Sequence, residues 1–155
     1  MQELLVMWCW RVRLMVSAGH RIIVGPGSQE PYPEYLSICI VNIGHRDAQI
    51  INIGWKVGIV KKRYAVQSTI NDGMSSTIPV RLKDGEEAKF LIPLSKETNW
   101  LRDFGKMMLY PFPRLQIRFI KIQAYTSLGG TFEAKIEKSL RQKILDALED
   151  VKNRP

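Results

Sequence analysis

Residues 34–57 read EYLSICIVNIGHRDAQIINIGWKV, and this stretch decides the fold class. Two apolar runs of strand length flank a polar interruption at residues 42–47. In the first run Leu36, Ile38 and Ile40 share one parity, and in the second run Trp55 alternates with smaller or polar residues. Alternation with a period of two is typical of β-strands. The stretch therefore predicts a β-hairpin, or two strands passed between facing sheets, with Trp55 filling the core.

Alternating apolar runs continue along most of the chain, and segments rich in turn-forming residues separate them. Residues 18–20 are predicted to turn the chain, and residues 25–33, dense in Gly and Pro, to form a loop. The longest run changes parity near Phe119 and Ile120, which indicates a β-bulge. Besides residues 34–41 and 50–57, the predicted strands are residues 10–17, 21–24, 58–66, 78–82, 87–93, 114–126 and 131–135.

Two segments have helical periodicity instead. A short inserted helix is predicted at about residues 95–109, and an amphipathic C-terminal helix at about residues 136–151. The apolar face of the second helix is expected to pack on a β core at residues 10–135; alternatively, this helix leaves the domain and pairs with a partner helix. The length of the chain fits a single domain, residues 1–155.

Composition limits the function classes without choosing one. The net charge of +8 favours an anionic partner, although moderate charge also keeps a small protein in solution. Cys9 and Cys39 lack the spacing of metal ligands, and a disulfide between them is an open alternative to the reducing, cytoplasmic location that we expect. The apolar segment at residues 4–10 is too short to span a membrane, but its two tryptophans are candidates for contact with a membrane interface or a partner.

The sequence does not assemble an active site. His20 and His45 both lie in predicted turns, and His45 is interpreted as a solvated turn residue rather than a general base. Residues 25–28 contain two glycines but lack the lysine and the following helix of a phosphate loop. We therefore expect a protein that is not an enzyme and that has no catalytic residue, cofactor or metal site.

The basic residues fall into three groups. In the first and third groups most charges share the outward parity of a predicted strand, so that neighbouring strands would form a basic stripe suited to phosphates. Tyr64 and Tyr110 are candidates for base stacking beside it. The alternative interpretation is a set of ordinary solvated strand faces. The candidates for contact with an anionic partner are Arg11, Arg13, Lys61, Lys62, Arg63, Arg114, Arg118 and Lys121.

Two short motifs carry a resemblance to a known class of domain. Residues 41–44 read VNIG at the end of a predicted strand, and residues 82–86 read LKDGE between two later strands. The chain thereby resembles bacterial immunoglobulin-like and fibronectin-type modules, and small uncharacterised bacterial or phage-associated proteins that contain such a domain. The resemblance implies an immunoglobulin-like antiparallel β-sandwich of about seven to nine strands and a binding role rather than a reaction. The chain lacks the core cysteine pair of antibody domains, and its C-terminal helix is an addition.

Our leading functional hypothesis is a non-enzymatic module that binds another protein through loops or an exposed edge. A small inhibitor or adaptor from a bacterial or mobile-element context, such as a phage–host interaction, is one form of it. The alternative is direct binding of nucleic acid through a basic strand face.

Overall fold

A computed structural model describes residues 11–68, 74–95 and 98–152. These residues form eight strands, three α-helices and one 3-10 turn at Ile117–Phe119. The strands are β1 (Leu14–Ile22), β2 (Glu34–Asn42), β3 (Ala48–Val57), β4 (Arg63–Val66), β5 (Val80–Leu82), β6 (Glu87–Pro93), β7 (Lys121–Thr126) and β8 (Thr131–Lys135). The helices are α1 (Trp100–Leu109), α2 (Pro113–Gln116) and α3 (Lys138–Lys152).

The strands form two antiparallel sheets. One is three-stranded with the order β1-β2-β6, so that β2 is its central strand. The other is five-stranded with the order β4-β3-β7-β8. The fifth strand, β5, pairs with the first residues of β3, whereas β4 pairs with its last residues. The prediction of a mainly β protein with two added helices is confirmed, and the architecture is sandwich-like.

A hydrophobic core lies between the sheets and beneath the helices. Leu36, Ile38 and Ile40 of β2 are fully buried, as their shared parity predicted. Trp55 of β3 is 1% exposed, and its indole N–H donates to Gln67 Oε1 at 2.8 Å. The prediction that Trp55 fills the core is therefore confirmed.

The two motifs that carry the family resemblance meet in space at Asn42, whose side chain is fully buried. Asn42 Nδ2 donates to the carbonyl oxygens of Arg46 at 2.9 Å and Leu82 at 3.0 Å, while Asn42 Oδ1 accepts the Gly44 N–H at 3.0 Å. One side chain thus closes the β2–β3 turn and ties it to the end of β5. Both the amide nitrogen and the amide oxygen of Asn42 thus have partners, as is usual for buried polar groups.

The structure corrects the first predicted strands. β1 runs without interruption through residues 18–20, where we predicted a turn, and it ends before Val24. The Glu137 carboxylate crosses β1 at Gly19, where it accepts hydrogen bonds from both terminal nitrogens of Arg21 at 2.7 Å, and a Cβ on Gly19 would contact it. Gly19 therefore lies within a strand, beneath the Arg21–Glu137 ion pair, and not in a turn.

The β-bulge also lies elsewhere than predicted. The pairing of β3 with β7 shifts between Ile50 and Asn52, which leaves Ile51 46% exposed instead of facing the core. The predicted strand at residues 114–126 is a strand only from Lys121 onward. Its first part forms α2 and the 3-10 turn, because proline at the first helical position presets the helical φ angle.

The C-terminal helix α3 packs on the rest of the fold rather than leaving it. Ile136 at its approach and Leu140, Ile144 and Leu148 within it are buried in the core. At the sheet, Lys143 Nζ donates to Glu34 Oε2 at 2.7 Å. This hydrogen bond is the main cause of the lowered pKa of Glu34.

The apolar segment at residues 4–10, with both of its tryptophans and Cys9, lies outside the described residues. The contacts predicted for this segment and for Cys9 therefore stay predictions. None of the helices within the described ranges combines the length and the apolar composition that a membrane crossing requires.

Candidate partner-binding surfaces

The structure does not assemble the basic stripe that the sequence suggested. Arg11 and Arg13 are exposed just before β1, where they approach Gly44 of the β2–β3 turn. Lys121 lies on β7, in the other sheet. Since β1 and β7 are not neighbours in one sheet, their outward charges do not form a continuous row.

Arg63 has a structural contact instead of a free cationic head group. Its Nη1 donates to the carbonyl oxygen of Tyr110 at 2.6 Å and also reaches the carbonyls of Met107 and Met108, both at 3.4 Å. These are the unpaired carbonyls at the C-terminal end of α1, where a cation is favourable. Lys61 and Lys62, in the turn before β4, are exposed.

Arg114 and Arg118 lie on α2 and on the 3-10 turn, not on a strand. Arg114 Nη2 pairs with Glu149 Oε1 of α3 at 2.7 Å, and its side chain remains 84% exposed. An ion pair this exposed contributes about 0–1 kcal/mol to stability, so the pair can open for a partner at little cost.

A groove of about 550 Å³ lies between the α1–α2 connection and α3, and we call it the α1–α2 groove. Phe112 and Leu115 stand exposed on it, at 63% and 54% respectively, while Leu148 of α3 is buried. The Arg114–Glu149 pair belongs to its lining. The lining residues are Tyr110, Pro111, Phe112, Pro113, Arg114, Leu115, Leu145, Leu148 and Glu149.

This groove combines residue types that dominate binding energy in protein interfaces, namely aromatic side chains and arginine beside aliphatic groups. Tyr110 was predicted as a base-stacking residue, but here it lines an apolar groove. The rest of the groove was missed, because alternation at residues 114–119 suggested a strand. The Pro-Phe-Pro sequence at residues 111–113 is the signal that points to an irregular, exposed segment.

A second surface lies on the outer face of the five-stranded sheet. Glu133 of β8 accepts hydrogen bonds from Lys121 Nζ at 2.5 Å, from Lys56 Nζ at 3.1 Å and from Gln123 Nε2 at 3.1 Å. Lys135 follows two residues later on the same face and is exposed. We call this surface the lysine face. Its members are Lys56, Lys121, Gln123, Glu133 and Lys135.

The lysine face has a strong effect on the titration of its carboxylate. The hydrogen bond from Lys121, followed by that from Lys56, lowers the pKa of Glu133 from 4.5 to about 2. The hydrogen bond to Glu133 in turn raises the pKa of Lys56. Lys121, a predicted contact for an anionic partner, is thus already paired with an internal anion.

Glu133 is expected to make stability depend on pH in the acid range. Its folded pKa of about 2 lies below the unfolded value of about 4.5, so its contribution is fully present above pH 4.5 and is lost as the pH falls toward 2. The difference in unfolding free energy between wild type and Glu133→Gln should therefore shrink between these pH values, as measured by urea denaturation.

Carboxylate NMR provides the matching control for this prediction. Glu133 should titrate near pH 2 in the wild type, and its pKa should rise in Lys121→Met, which removes the largest cause of the shift. A wild-type Glu133 that titrates at its usual value would contradict the described network.

The histidines and the described cysteine have ordinary surroundings. His45 is an exposed turn residue, as interpreted, and its Nδ1 lies 2.7 Å from Asp84 Oδ2. His20 Nε2 lies 2.9 Å from Glu34 Oε2. Burial and then the nearby Glu87 raise the pKa of the Cys39 thiol, which keeps it protonated. Within residues 11–68, 74–95 and 98–152, no three His, Cys, Asp or Glu side chains are grouped as metal ligands would be.

Fold and surfaces together describe a mainly β protein of two antiparallel sheets and three helices. Neither protein-family models nor curated proteins give a match to the chain. Among solved structures it is similar to a Bordetella pertussis protein provisionally named ApaA, at 16% identity over 81% of this chain and 89% of that one, with a TM-score of 0.34. The structural-genomics target SoR45 is similar at 14% identity over 80% and 82%, with a TM-score of 0.37. Likenesses this weak carry no argument about function.

Proposed function

We propose that this chain is a non-enzymatic protein-binding module with an immunoglobulin-like, fibronectin-type fold, and that the α1–α2 groove receives the partner. The observation that carries the proposal is the pair of large apolar side chains, Phe112 and Leu115, exposed together on one groove. Apolar side chains exposed side by side on a groove with a charged rim are a usual feature of interaction sites.

The strand order supports the immunoglobulin-like assignment. When the strands are lettered in chain order, β1-β2-β6 corresponds to A-B-E, and β8-β7-β3-β4 corresponds to G-F-C-C′ of the immunoglobulin-type sandwich. β5 departs from that pattern because it pairs with β3. Modules of this architecture commonly present their connections as binding surfaces on a rigid scaffold.

The chemistry of the groove indicates what the partner supplies. An apolar side chain of the partner would cover Phe112 and Leu115, and full burial of a residue such as Phe stabilises by about 1.5–3 kcal/mol. Arg114 and Glu149 can exchange their mutual contact for charges on the partner, which would orient it more than strengthen it. The occupant is therefore a segment of another protein with a bulky apolar anchor flanked by charge.

Co-purification followed by mass spectrometry, then calorimetry with the purified partner, tests this function. Phe112→Ala should weaken a one-to-one complex by at least about tenfold. It should leave the unfolding free energy within about 0.5 kcal/mol, since exposed substitutions rarely do more. Leu128→Ala is the matched control, because Leu128 is 64% exposed in the turn after β7, at the other end of that strand from α2.

The proposal fails if Phe112→Ala and Leu128→Ala bind the identified partner equally well. It also fails if light scattering shows that the groove is covered by a second copy of the chain in a Phe112-dependent dimer. An inhibitor or adaptor role in a bacterial or phage–host setting stays a prediction, and the identity of the partner would decide it.

A further inference from the structure

The lysine face contains a row of like charges that the strand register places side by side. Lys56 on β3 is directly opposite Lys121 on β7, and Lys121 is directly opposite Lys135 on β8. Like charges in directly opposed positions destabilise a sheet. Glu133 pairs with Lys56 and Lys121 but carries a single negative charge, so the three lysines and the one glutamate leave a net charge of +2. An anionic ligand would relieve the remaining repulsion.

An aromatic depression of about 340 Å³ adjoins the lysine face. Tyr64 on β4 is directly opposite Lys56, and it is 60% exposed. The ring of Tyr125 on β7 covers Gly54, since a Cβ there would lie 3.1 Å from Tyr125 Cε2. The Tyr125 hydroxyl donates to Gln123 Oε1 at 2.7 Å, which fixes the ring beside the lysines. The lining residues are Ile51, Asn52, Tyr64, Ala65, Val66 and Tyr125.

Cations and aromatic rings on one open sheet face are the two elements that bind single-stranded nucleic acid. Lysines contact the phosphates, and exposed rings stack on unpaired bases. A duplex hides its base faces and would use only the charges. An acidic peptide would likewise leave the tyrosine depression unused. The exposed Lys61 and Lys62 precede Tyr64 in the turn before β4 and add positive charge to this part of the chain.

We propose that the lysine face and the adjoining tyrosine depression bind single-stranded nucleic acid, with bases stacked on Tyr64 and Tyr125 and phosphates held by Lys56, Lys121 and Lys135. Glu133 competes with the phosphates for two of these lysines. The Glu133 carboxylate therefore lowers the affinity of this face for nucleic acid.

Fluorescence anisotropy with labelled single strands of about 15 nucleotides, oligo-dT and oligo-U, tests this proposal. Both arms are run beside a duplex of equal length and a polyglutamate competitor, at about 50 and 200 mM salt. We expect the single strand to bind more tightly than the duplex. Its affinity should fall steeply as the salt concentration rises. The arm that binds more tightly identifies the sugar that the face prefers.

Variants separate stacking, charge and folding. Tyr64→Ala should weaken binding about tenfold while Tyr64→Phe retains it, because stacking needs the ring and not the hydroxyl. Lys135→Gln should reduce the salt slope by about one, and its matched control is Lys89→Gln on the other sheet. Glu133→Gln should strengthen binding roughly two- to fivefold by freeing two lysines, a gain that a merely structural defect would not produce.

Four results would overturn the proposal. The first is that neither single strand binds at the lower salt concentration, and the second is that the duplex binds as tightly as the single strand. The third is that Tyr64→Ala binds the single strand as tightly as the wild type. The fourth is that polyglutamate displaces the single strand and itself binds Tyr64→Ala and wild type equally. The last result would assign the face to an acidic protein. Phe112→Ala should leave the affinity for oligonucleotides unchanged, so failure here is distinguishable from failure of the α1–α2 groove.

Discussion

Replacement of Trp55 by alanine is expected to lower the free energy of unfolding by about 3–5 kcal/mol. Trp55 is buried between the sheets, and its ring packs edge-on against Phe104 at a centroid distance of 4.9 Å. The substitution leaves a large cavity beneath α1. It also removes the indole N–H that donates to Oε1 of the buried Gln67. Urea denaturation followed by circular dichroism measures the change.

Two further variants divide this loss into its parts. Trp55→Phe keeps most of the ring but leaves Gln67 Oε1 without its donor, and should cost about 1–3 kcal/mol. Trp100→Ala is the matched control, because Trp100 is only half-buried and stacks on Phe104 at 4.6 Å. If Trp100→Ala costs as much as Trp55→Ala, the centre of the core is not at Trp55.

Replacement of Asn42 by alanine is expected to cost about 2–4 kcal/mol, since unsatisfied buried groups each cost about 1–3 kcal/mol. The variant leaves the carbonyls of Arg46 and Leu82 and the Gly44 N–H without their partner. The two turns that Asn42 joins would then separate more easily. Protection of the Gly44 amide against hydrogen exchange should fall together with the denaturation midpoint.

Asn42→Asp tests whether hydrogen bonding or volume is responsible. Aspartate has nearly the same size and still accepts the Gly44 N–H, but it would turn an oxygen toward two carbonyl oxygens. We expect it to cost at least as much as alanine at neutral pH. Asn52→Ala is the control, because the half-buried Asn52 makes a local bond to the Ile53 N–H at 2.9 Å. Equal losses in Asn42→Ala and Asn52→Ala would contradict the bridging role.

Strands with unbroken alternation were the most predictable elements. β2 and β6 were located almost to the residue, because each alternates cleanly and ends at a turn with recognisable chemistry. β1 was divided in error because Gly19 reads as a turn residue, whereas it lies within the strand beneath the Glu137 carboxylate, which is distant in sequence. The bulge in β3 was missed because two adjacent isoleucines are compatible with either parity.

The candidate surfaces were less predictable than the fold. The basic residues can be identified in the sequence, but whether each is available to a partner depends on its neighbours in the fold. Arg63 caps α1, Arg114 pairs with α3, and Lys121 binds Glu133. Lys135 and Tyr125 were missed, because only the tertiary structure places Lys135 opposite Lys121 and Tyr125 in one depression with Tyr64.

The sequence by itself determined that residues 34–57 form two core strands joined at Asn42, with Trp55 inside, because period-two alternation and turn chemistry are local properties of the chain. Only the tertiary structure decided what surrounds that turn and what lies outside those strands. It brought Leu82 to Asn42 and placed Lys121 opposite Lys56. Such contacts join residues far apart in the chain, and their register is set by packing across the sheets, which alternation within one strand does not specify.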